Sequence, residues 1–356
     1  MKKEIIFIFV GFLLIGLSFD NLLAAEKQIT KPIELSYANF FPSANHQFIL
    51  GTKWAEEIEK RTGGKVKITL YPGASLLAAE KIYEGTVKGV CDIGMTCLSY
   101  TRGRFPLMEV LDMPLGFPNA KIVVRVMWDV YKKFKPNELA DTKVLYFTSH
   151  EPGLISFSSE QVSKLEQMKG KKIRCTGTAA EIVVALGGAP LAMTMGDVYL
   201  ALSKGVVDGT VGAFNTLKAY RHAEVTKWST YHPRVGYTTV MVVAMSLEKW
   251  NHMPSDIQKI FEVVSEEWID KHGLRSHEMA QEGYEFAKEK GHKFTFLEDD
   301  PKEANRWIKN VEPIIDSYKK RMQEKGLPGE AVVKEARQLI EYYNKIDKYK
   351  GGCIKR

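Results

Sequence analysis

Apolar and polar side chains follow two alternating periods along the first third of the chain. Residues 33–37 alternate apolar and polar side chains, which predicts a strand buried on one face. Apolar residues recur every four positions over 50–58, as on one face of a helix, and residues 66–71 fit a second strand. A helix over 76–87 and a strand over 91–97 follow. Strands that alternate with helices predict an α/β fold with a largely parallel sheet.

The alternation continues through the middle of the chain, and the last third is helical. Further strands are predicted at 143–147, 173–175, 191–193 and 206–211, with helices at 179–186, 197–202 and 217–225, and later at 307–322 and 332–346. Ser255 and Gln258 fit a capping box, and no Pro interrupts residues 255–291. At 1.5 Å per residue this segment would form a helix about 50 Å long, with Gly273 as a candidate break. Such a helix could brace two lobes.

One segment of the chain is echoed later. Residues 82–92 (IYEGTVKGVCD) align without a gap with residues 198–208 (VYLALSKGVVD). Each copy predicts a helix closed by Gly and followed at once by a strand. Chance similarity is one explanation, and two lobes of similar build are the other. Because open α/β sheets bind ligands at the carboxyl ends of their strands, two such lobes would enclose a cleft.

The N-terminus predicts export from the cytoplasm. Two lysines precede an apolar run over 5–17, and small residues end at Ala25. This is the pattern of a secretory signal peptide over residues 1–25, and the run is too short to span a bilayer comfortably. An uncleaved anchor is the alternative. We therefore expect a periplasmic protein.

Composition, cysteine positions and charge indicate which class of protein this chain belongs to. Of the 356 residues, 45% are hydrophobic and 26% charged, which is typical of a globular protein. Cys91 and Cys97 share one predicted strand, about 20 Å apart and beyond disulfide reach, and we expect all four cysteines to be free. The net charge is +7, with its densest run in the last twelve residues, which we interpret as a solvated, frayed terminus. No basic stretch is interleaved with aromatics, so nucleic-acid binding is not expected.

Motifs of catalysis are missing from the sequence. It contains no G-x-G-x-x-G after a strand, no Walker lysine loop and no G-x-S-x-G elbow. His277-Glu278 begins like a zinc-protease helix, but Gln281 stands where the second histidine would be. We therefore expect no metal centre and no cofactor, and we expect the protein to bind a ligand and not to act as an enzyme.

The middle of the chain resembles a known family. GKKIR at 170–174 and LGGAPLAMTMGDVYLALSKGVVDG at 186–209 resemble the solute-binding proteins of tripartite ATP-independent periplasmic (TRAP) transporters, the family of the C4-dicarboxylate receptors. The segments RTGGKVKITLYPG, KGVCDIG, RFPLMEVLDMPLGF and MVVAMSLEKWNHMPSDIQKIF extend the resemblance over residues 30–290. It implies a two-lobed periplasmic binding protein fold with a ligand cleft between the lobes and a long bracing helix.

The resemblance also implies a division of the chain. Lobe I would comprise residues 30–149 and 236–272, and lobe II residues 150–235 and 273–345, followed by a basic tail over 346–356. Family members usually hold an organic acid through the Arg of the I-R strand, which is Arg174 here. The chemistry agrees, because a planar guanidinium offers a carboxylate two parallel hydrogen bonds.

One departure from the family pattern concerns the residues after G-V-V-D-G. Many members carry Asn-Pro there, whereas this chain has Gly212 and Ala213. Asn215 is a candidate for the missing polar contact, with a helix N-cap as its alternative role. The departure argues against dicarboxylate specificity.

Residues that follow predicted strands supply the other candidates for the ligand site. They are Asn39, Phe40, Tyr100, His150, Phe214 and Tyr237. Each aromatic residue among them could equally belong to the core. Together with the single cationic anchor, they indicate an apolar or aromatic organic acid as the ligand.

These observations predict an extracytoplasmic receptor that binds an organic acid and delivers it to the small and large membrane subunits of a TRAP permease. We expect a monomer. Two alternatives remain open at this point. One is a periplasmic enzyme acting on a small acid, and the other is a ligand receptor for a sensor protein.

Overall fold

A computed structural model of the protein describes residues 31–356, so the predicted signal peptide lies outside the described part. The strands are β1 Ile33–Asn39, β2 Val66–Tyr71, β3 Ile93–Cys97, β4 Thr142–Thr148, β5 Leu154–Phe157, β6 Lys172–Cys175, β7 Ala189–Ala192, β8 Gly209–Gly212, β9 Trp228–Tyr231, β10 Met241–Ser246 and β11 Lys293–Phe296. The helices are α1 His46–Arg61, α2 Ile82–Val87, α3 Ala120–Phe134, α4 Ala179–Ala185, α5 Val198–Ser203, α6 Phe214–Ala219, α7 Leu247–Asn251, α8 Ser255–Glu289, α9 Pro301–Val311, α10 Pro313–Glu324 and α11 Gly329–Lys345. Within this part of the chain, no helix is both long and apolar enough to cross a bilayer.

The strands form two separate sheets, each the centre of one lobe. Lobe I contains the sheet β2-β1-β3-β10-β4, and lobe II contains the sheet β11-β9-β5-β8-β6-β7. The chain crosses from lobe I to lobe II between β4 and β5 and returns between β9 and β10. The predicted two-lobed α/β architecture is therefore confirmed. The residue limits proposed for the lobes stay a prediction, and α11 packs against α3 of lobe I.

The sequence echo marks a repeated structural unit. In lobe I, β1-α1-β2-α2-β3 forms a parallel sheet of order β2-β1-β3, and β6-α4-β7-α5-β8 repeats this arrangement in lobe II. Gly89 and Gly205 end α2 and α5 with φ of +70° and +66°. Asp92 then accepts hydrogen bonds from Ser36 of β1, and Asp208 accepts one from the backbone of β6. Chance similarity would not produce matching topology and matching contacts.

The repeat also fixes which residues of the two lobes correspond. Because Asp92 matches Asp208, Gly94 of β3 matches Thr210 of β8. Ala38 pairs with Gly94, and Arg174 pairs with Thr210. Ala38 in lobe I is therefore the counterpart of Arg174 in lobe II.

A single long helix connects the two lobes. Helix α8 runs without a break for 35 residues and packs against α1, α3 and β4 on one side and α6 on the other. Gly273 does not interrupt it, because that position is where α3 comes close: a Cβ there would lie 3.0 Å from Lys121 Cα. The predicted capping box is wrong. Pro254 is the N-cap, and the Gln258 amide donates instead to the Trp250 carbonyl.

The C-terminal tail is packed against the protein, contrary to the expected frayed terminus. Tyr349 and Cys353 are buried, and the Asn119 amide donates to the carbonyls of Tyr349 and Gly351. At the end of the tail, Arg356 pairs with Glu298 and Asp299 of lobe II. The prediction of free cysteines is confirmed, and all four are buried.

Candidate functional site

A narrow cavity lies between the lobes. Its walls come from both sheets, the two crossing segments, and α1 and α6. The lining residues are Phe40, Phe41, Gln47, Cys97, Tyr100, His150, Arg174, Thr176, Met195, Asn215, Thr216, Tyr220, Tyr237, Thr239 and Met241. Six of the eight residues predicted from the sequence line the cavity, namely Phe40, Tyr100, His150, Arg174, Asn215 and Tyr237.

Arg174 is the cation of this cavity and is 1% exposed. It stands near the carboxyl end of β6. Its Nε and Nη2 atoms donate to the Met193 carbonyl at 3.0 and 2.8 Å, and Nη1 donates to the Val211 carbonyl at 3.2 Å. A guanidinium has five N–H groups, so these three bonds leave one N–H on each terminal nitrogen. Within residues 31–356 the side chain forms no ion pair, which leaves a buried positive charge without an anion.

Asn215 contributes an amide to the wall beside this charge. Helix α6 starts at Phe214 with Ala213 as its N-cap, so the alternative role of Asn215 as N-cap is excluded. The Asn215 side chain is 8% exposed, lines the cavity, and has no hydrogen-bond partner among the described residues. Its carbonyl and amide groups are therefore available to a ligand.

Two of the predicted residues lie away from the wall. Phe214 is fully buried in the core of lobe II, with its ring 5.1 Å from that of Tyr231 and 6.0 Å from that of Phe294. It faces the core because the first turn of α6 turns Asn215, not Phe214, toward the cavity. Asn39 lies behind Phe40 and Phe41, where its Oδ1 accepts the Phe41 N–H at 3.0 Å.

Aromatic rings form much of the remaining wall. Phe40 contacts Tyr100 edge to face, with 5.4 Å between ring centroids. Burial raises the pKa of Tyr100 and of Tyr220 above the ordinary phenol value, although the positive charge of Arg174 opposes the shift. Burial likewise raises the pKa of Tyr237 to about 12. All three phenols are neutral at physiological pH and can donate hydrogen bonds to an anion.

His150 is a neutral part of the wall. Its Nδ1 lies 2.6 Å from the Glu151 carbonyl oxygen, so this nitrogen carries the proton, and Nε2 accepts from the Thr239 hydroxyl at 3.0 Å. Burial lowers the pKa of His150 to about 4. The imidazole therefore adds no second positive charge near neutral pH, and its hydrogen bonds fix the crossing segments that hold it.

Several wall residues were not predicted from the sequence. Gln47 reaches the cavity from α1, and its amide bonds the Ser149 carbonyl while its oxygen accepts from Thr148. Tyr220 enters from the residue that ends α6, and Met195 from the turn after β7. Tyr220 lay inside a helix that the sequence placed too late, so the face it would present could not be inferred.

The only charge among the described residues that line the cavity is positive. Arg174 is its one cationic side chain, and no aspartate or glutamate lines the cavity in the described part of the chain. Burial raises the pKa of the Cys97 thiol, which is therefore neutral. No group of three or more His, Cys, Asp or Glu residues between positions 31 and 356 is arranged to hold a metal ion. The site can bind a small anion with a largely apolar body.

Comparison with known proteins agrees with this geometry. A family model described as bacterial extracellular solute-binding protein, family 7, matches residues 37–321. The chain belongs to this family. One family 7 relative, the C4-dicarboxylate-binding periplasmic protein DctP of Rhodobacter capsulatus, is 24% identical over 320 residues, which are 87% of this chain and 93% of that protein.

Solved structures of TRAP solute-binding proteins share the fold of this family 7 chain. The open complex from Desulfovibrio salexigens is 31% identical with a TM-score of 0.76, and the match covers 88% of this chain and 97% of that one. A protein from Rhodoferax ferrireducens with copurified benzoate is 25% identical with a TM-score of 0.83, over 88% and 99% of the two chains. A marine metagenome protein in complex with metahydroxyphenylacetate is 25% identical with a TM-score of 0.83, and the match covers 88% of this chain and 100% of that one.

Proposed function

We propose that this protein captures an organic monocarboxylate with an apolar or aromatic body in the cleft between its lobes and delivers it to a TRAP permease. The observation that carries the proposal is the buried guanidinium of Arg174, which has two unused N–H groups and no anionic partner within residues 31–356. A buried charge without a counter-ion is costly. A carboxylate that accepts both N–H groups removes that cost and orients the ligand.

The groups next to Arg174 define how the carboxylate is held. The Asn215 amide can donate to one carboxylate oxygen, since it has no partner in the described structure. The Tyr100 hydroxyl accepts the Met195 N–H at 3.3 Å, and its own proton stays available for a second hydrogen bond. Because water is largely excluded, each of these interactions is stronger than it would be in solution.

The rest of the cavity selects the body of the acid. Phe40, Phe41, Tyr220 and Met241 present apolar surface, and the lining holds a single cation. A dicarboxylate would place its second charge against this surface at a high desolvation cost. The structures with bound benzoate and metahydroxyphenylacetate are similar to this chain and support an aromatic monocarboxylate.

Closure of the lobes supports a role as a receptor that signals its loaded state. The described conformation encloses Arg174 between the lobes, and its TM-scores are higher with the two complexes of aromatic acids than with the open complex. A ligand that bridges both lobes favours the closed form. The partners proposed for this form are the small and large membrane subunits of the permease, at the periplasmic face of the membrane.

The test uses the exported protein, purified without denaturant and analysed by mass spectrometry for any acid that copurifies. Thermal shift and titration calorimetry then compare benzoate, metahydroxyphenylacetate and succinate. At a concentration 100 times Kd, a ligand stabilises the folded state by about 2.7 kcal/mol, so binding produces a clear rise in melting temperature. Tighter binding of succinate, or conversion of a bound acid to a product, would contradict the proposal.

A further inference from the structure

The loop that closes lobe I beside the ligand cavity contains a buried carboxyl group. Asp112 ends a short 3-10 segment, Met108–Asp112, and is 4% exposed. Its Oδ1 accepts the backbone N–H of Val240 at 2.6 Å. Val240 belongs to the segment through which the chain returns from lobe II to lobe I. No lysine, arginine or histidine forms an ion pair with Asp112 within the described residues.

Lobe II covers this carboxyl group from the other side. The turn after β6 places Gly177, three residues beyond Arg174, against Ser99 and Asp112 of lobe I. A Cβ at Gly177 would lie 2.7 Å from Ser99 Cβ and 3.6 Å from Asp112 Oδ2. The φ of Gly177 is +52°, a value that favours glycine. The same turn that follows the proposed ligand anchor therefore seals Asp112 when the lobes are closed.

The groups that face Asp112 do not offer it a compensating charge. Glu109 lies on the same 3-10 segment and is an acid. Cys97 from the end of β3 and Tyr237 from the crossing segment are neutral groups, because burial raises the pKa of each. Arg102 lines the small space that Asp112, Ser99 and Gly177 share, but it is exposed.

Burial and the neighbouring Glu109 carboxylate raise the pKa of Asp112 to about 8, and the hydrogen bond from Val240 opposes the shift. In the closed form the carboxyl group therefore carries a proton at neutral pH. The Ser99 hydroxyl, which is buried and lacks a hydrogen-bond partner in the described structure, lies against the same turn.

We propose that Asp112 is a proton-dependent latch on lobe closure, which takes up one proton when Gly177 closes over it and releases that proton when the lobes open. Opening removes the turn of lobe II and lets water reach the carboxyl group, where the ionised form is stable. The proposal rests on the proposed function only for the ligand that drives closure. Such a latch would make release of the ligand easier in a less acidic environment.

The direction of the pH effect follows from linkage. The closed form binds one more proton than the open form between the ordinary pKa of an aspartate and the raised pKa of Asp112 in the closed protein. Closure is therefore favoured at low pH and is weakened as the pH rises through that window. The dissociation constant of a carboxylate ligand should increase by about tenfold per pH unit, or about a hundredfold from pH 5.5 to pH 7.5.

Titration calorimetry tests the latch with benzoate, or with the acid that copurifies. The wild-type protein should take up close to one proton per bound ligand at pH 7, measured in buffers of different ionisation enthalpy. Asp112→Asn keeps an oxygen for the Val240 N–H and is always neutral. It should bind with an affinity that changes less than threefold over the same range. Glu109→Gln is the matched control and should retain most of the proton uptake, because burial, the largest cause of the raised pKa of Asp112, is unchanged.

The outcomes separate the latch from the proposed function. Binding without proton uptake by the wild type, or an unchanged pH dependence in Asp112→Asn, overturns the latch and leaves the carboxylate receptor intact. If no carboxylate binds at any pH, the proposed function fails. Small-angle scattering of the ligand-free protein then tests the latch alone, since the radius of gyration should rise from pH 5.5 to 8 in the wild type but stay constant in Asp112→Asn. If Asp112→Asn does not fold, the proton count of the wild type and of Glu109→Gln decides the question.

Discussion

Replacing the guanidinium of Arg174 by an apolar side chain of similar length separates a ligand anchor from a structural arginine. In Arg174→Met, the two N–H groups that the wild type leaves unused are gone. Each hydrogen bond between a charged donor and a carboxylate contributes about 1.5–3 kcal/mol. Loss of two such bonds should weaken binding of the carboxylate by about 3–6 kcal/mol, or roughly 10²- to 10⁴-fold.

The stability of the ligand-free protein should respond differently. Arg174→Met leaves the Met193 and Val211 carbonyls without their donor, which costs about 1–3 kcal/mol for each buried group. It also removes a buried charge that has no ion-pair partner in the described structure, and that relief is worth a similar amount. We therefore expect the free energy of unfolding without ligand to change by less than about 2 kcal/mol.

Titration calorimetry gives the affinity, and thermal unfolding with and without ligand gives both stabilities. Arg234→Met is the matched control, because Arg234 is exposed and pairs with Glu312 at the surface of the protein. The control should keep the affinity and the ligand-induced rise in melting temperature. An affinity for the carboxylate within threefold of wild type in Arg174→Met would refute the assignment of Arg174 as the anchor.

Three further predictions test the surroundings of the site. Asn215→Leu removes one hydrogen bond to the ligand carboxylate, worth about 1.5–3 kcal/mol, so calorimetry should show an affinity roughly 10- to 100-fold lower, and an unchanged affinity would exclude the contact. Gly283→Ala would place a Cβ 2.1 Å from the Phe214 carbonyl oxygen, so denaturant unfolding should show a loss of about 1–3 kcal/mol, and full stability would contradict the close packing of α8 on α6. All four thiols are buried, so a thiol reagent should react with none of them in the native protein and with four after denaturation, whereas fast native labelling would contradict their burial.

The elements that could be predicted from the sequence are those whose pattern repeats. The alternation over 33–37 and the run over 66–71 correspond to β1 and β2. Both strands contain buried and more exposed residues, so polar side chains interrupt the apolar ones and the pattern is visible in the sequence. Strand β10 was missed, since all six of its residues are buried and its sequence MVVAMS shows no alternation. Strands β5 and β9 are four residues long, too short for a periodic signal to stand out.

The same limit applies to the candidate site. Arg174 was predicted because the segment GKKIR resembles the I-R strand of the TRAP solute-binding family, whose Arg usually holds the acid. Phe214 was misplaced because a shift of one residue in the first turn of α6 exchanges the cavity-facing and core-facing positions. Gln47 and Thr239 come together only through the crossing of the chain between the sheets, a relation that local sequence patterns do not contain.

The lobes share one architecture but not one chemistry at the matching position, where lobe I has Ala38 and lobe II has Arg174. If Arg174 is the ligand anchor, an anion that approaches the open molecule should be attracted by lobe II and bind there first. Lobe I, with the rings of Phe40, Phe41 and Tyr100, would contact the body of the ligand only when the lobes close. Attraction of the anion and selection of its apolar body would thus fall to different copies of the repeated β-α-β-α-β unit.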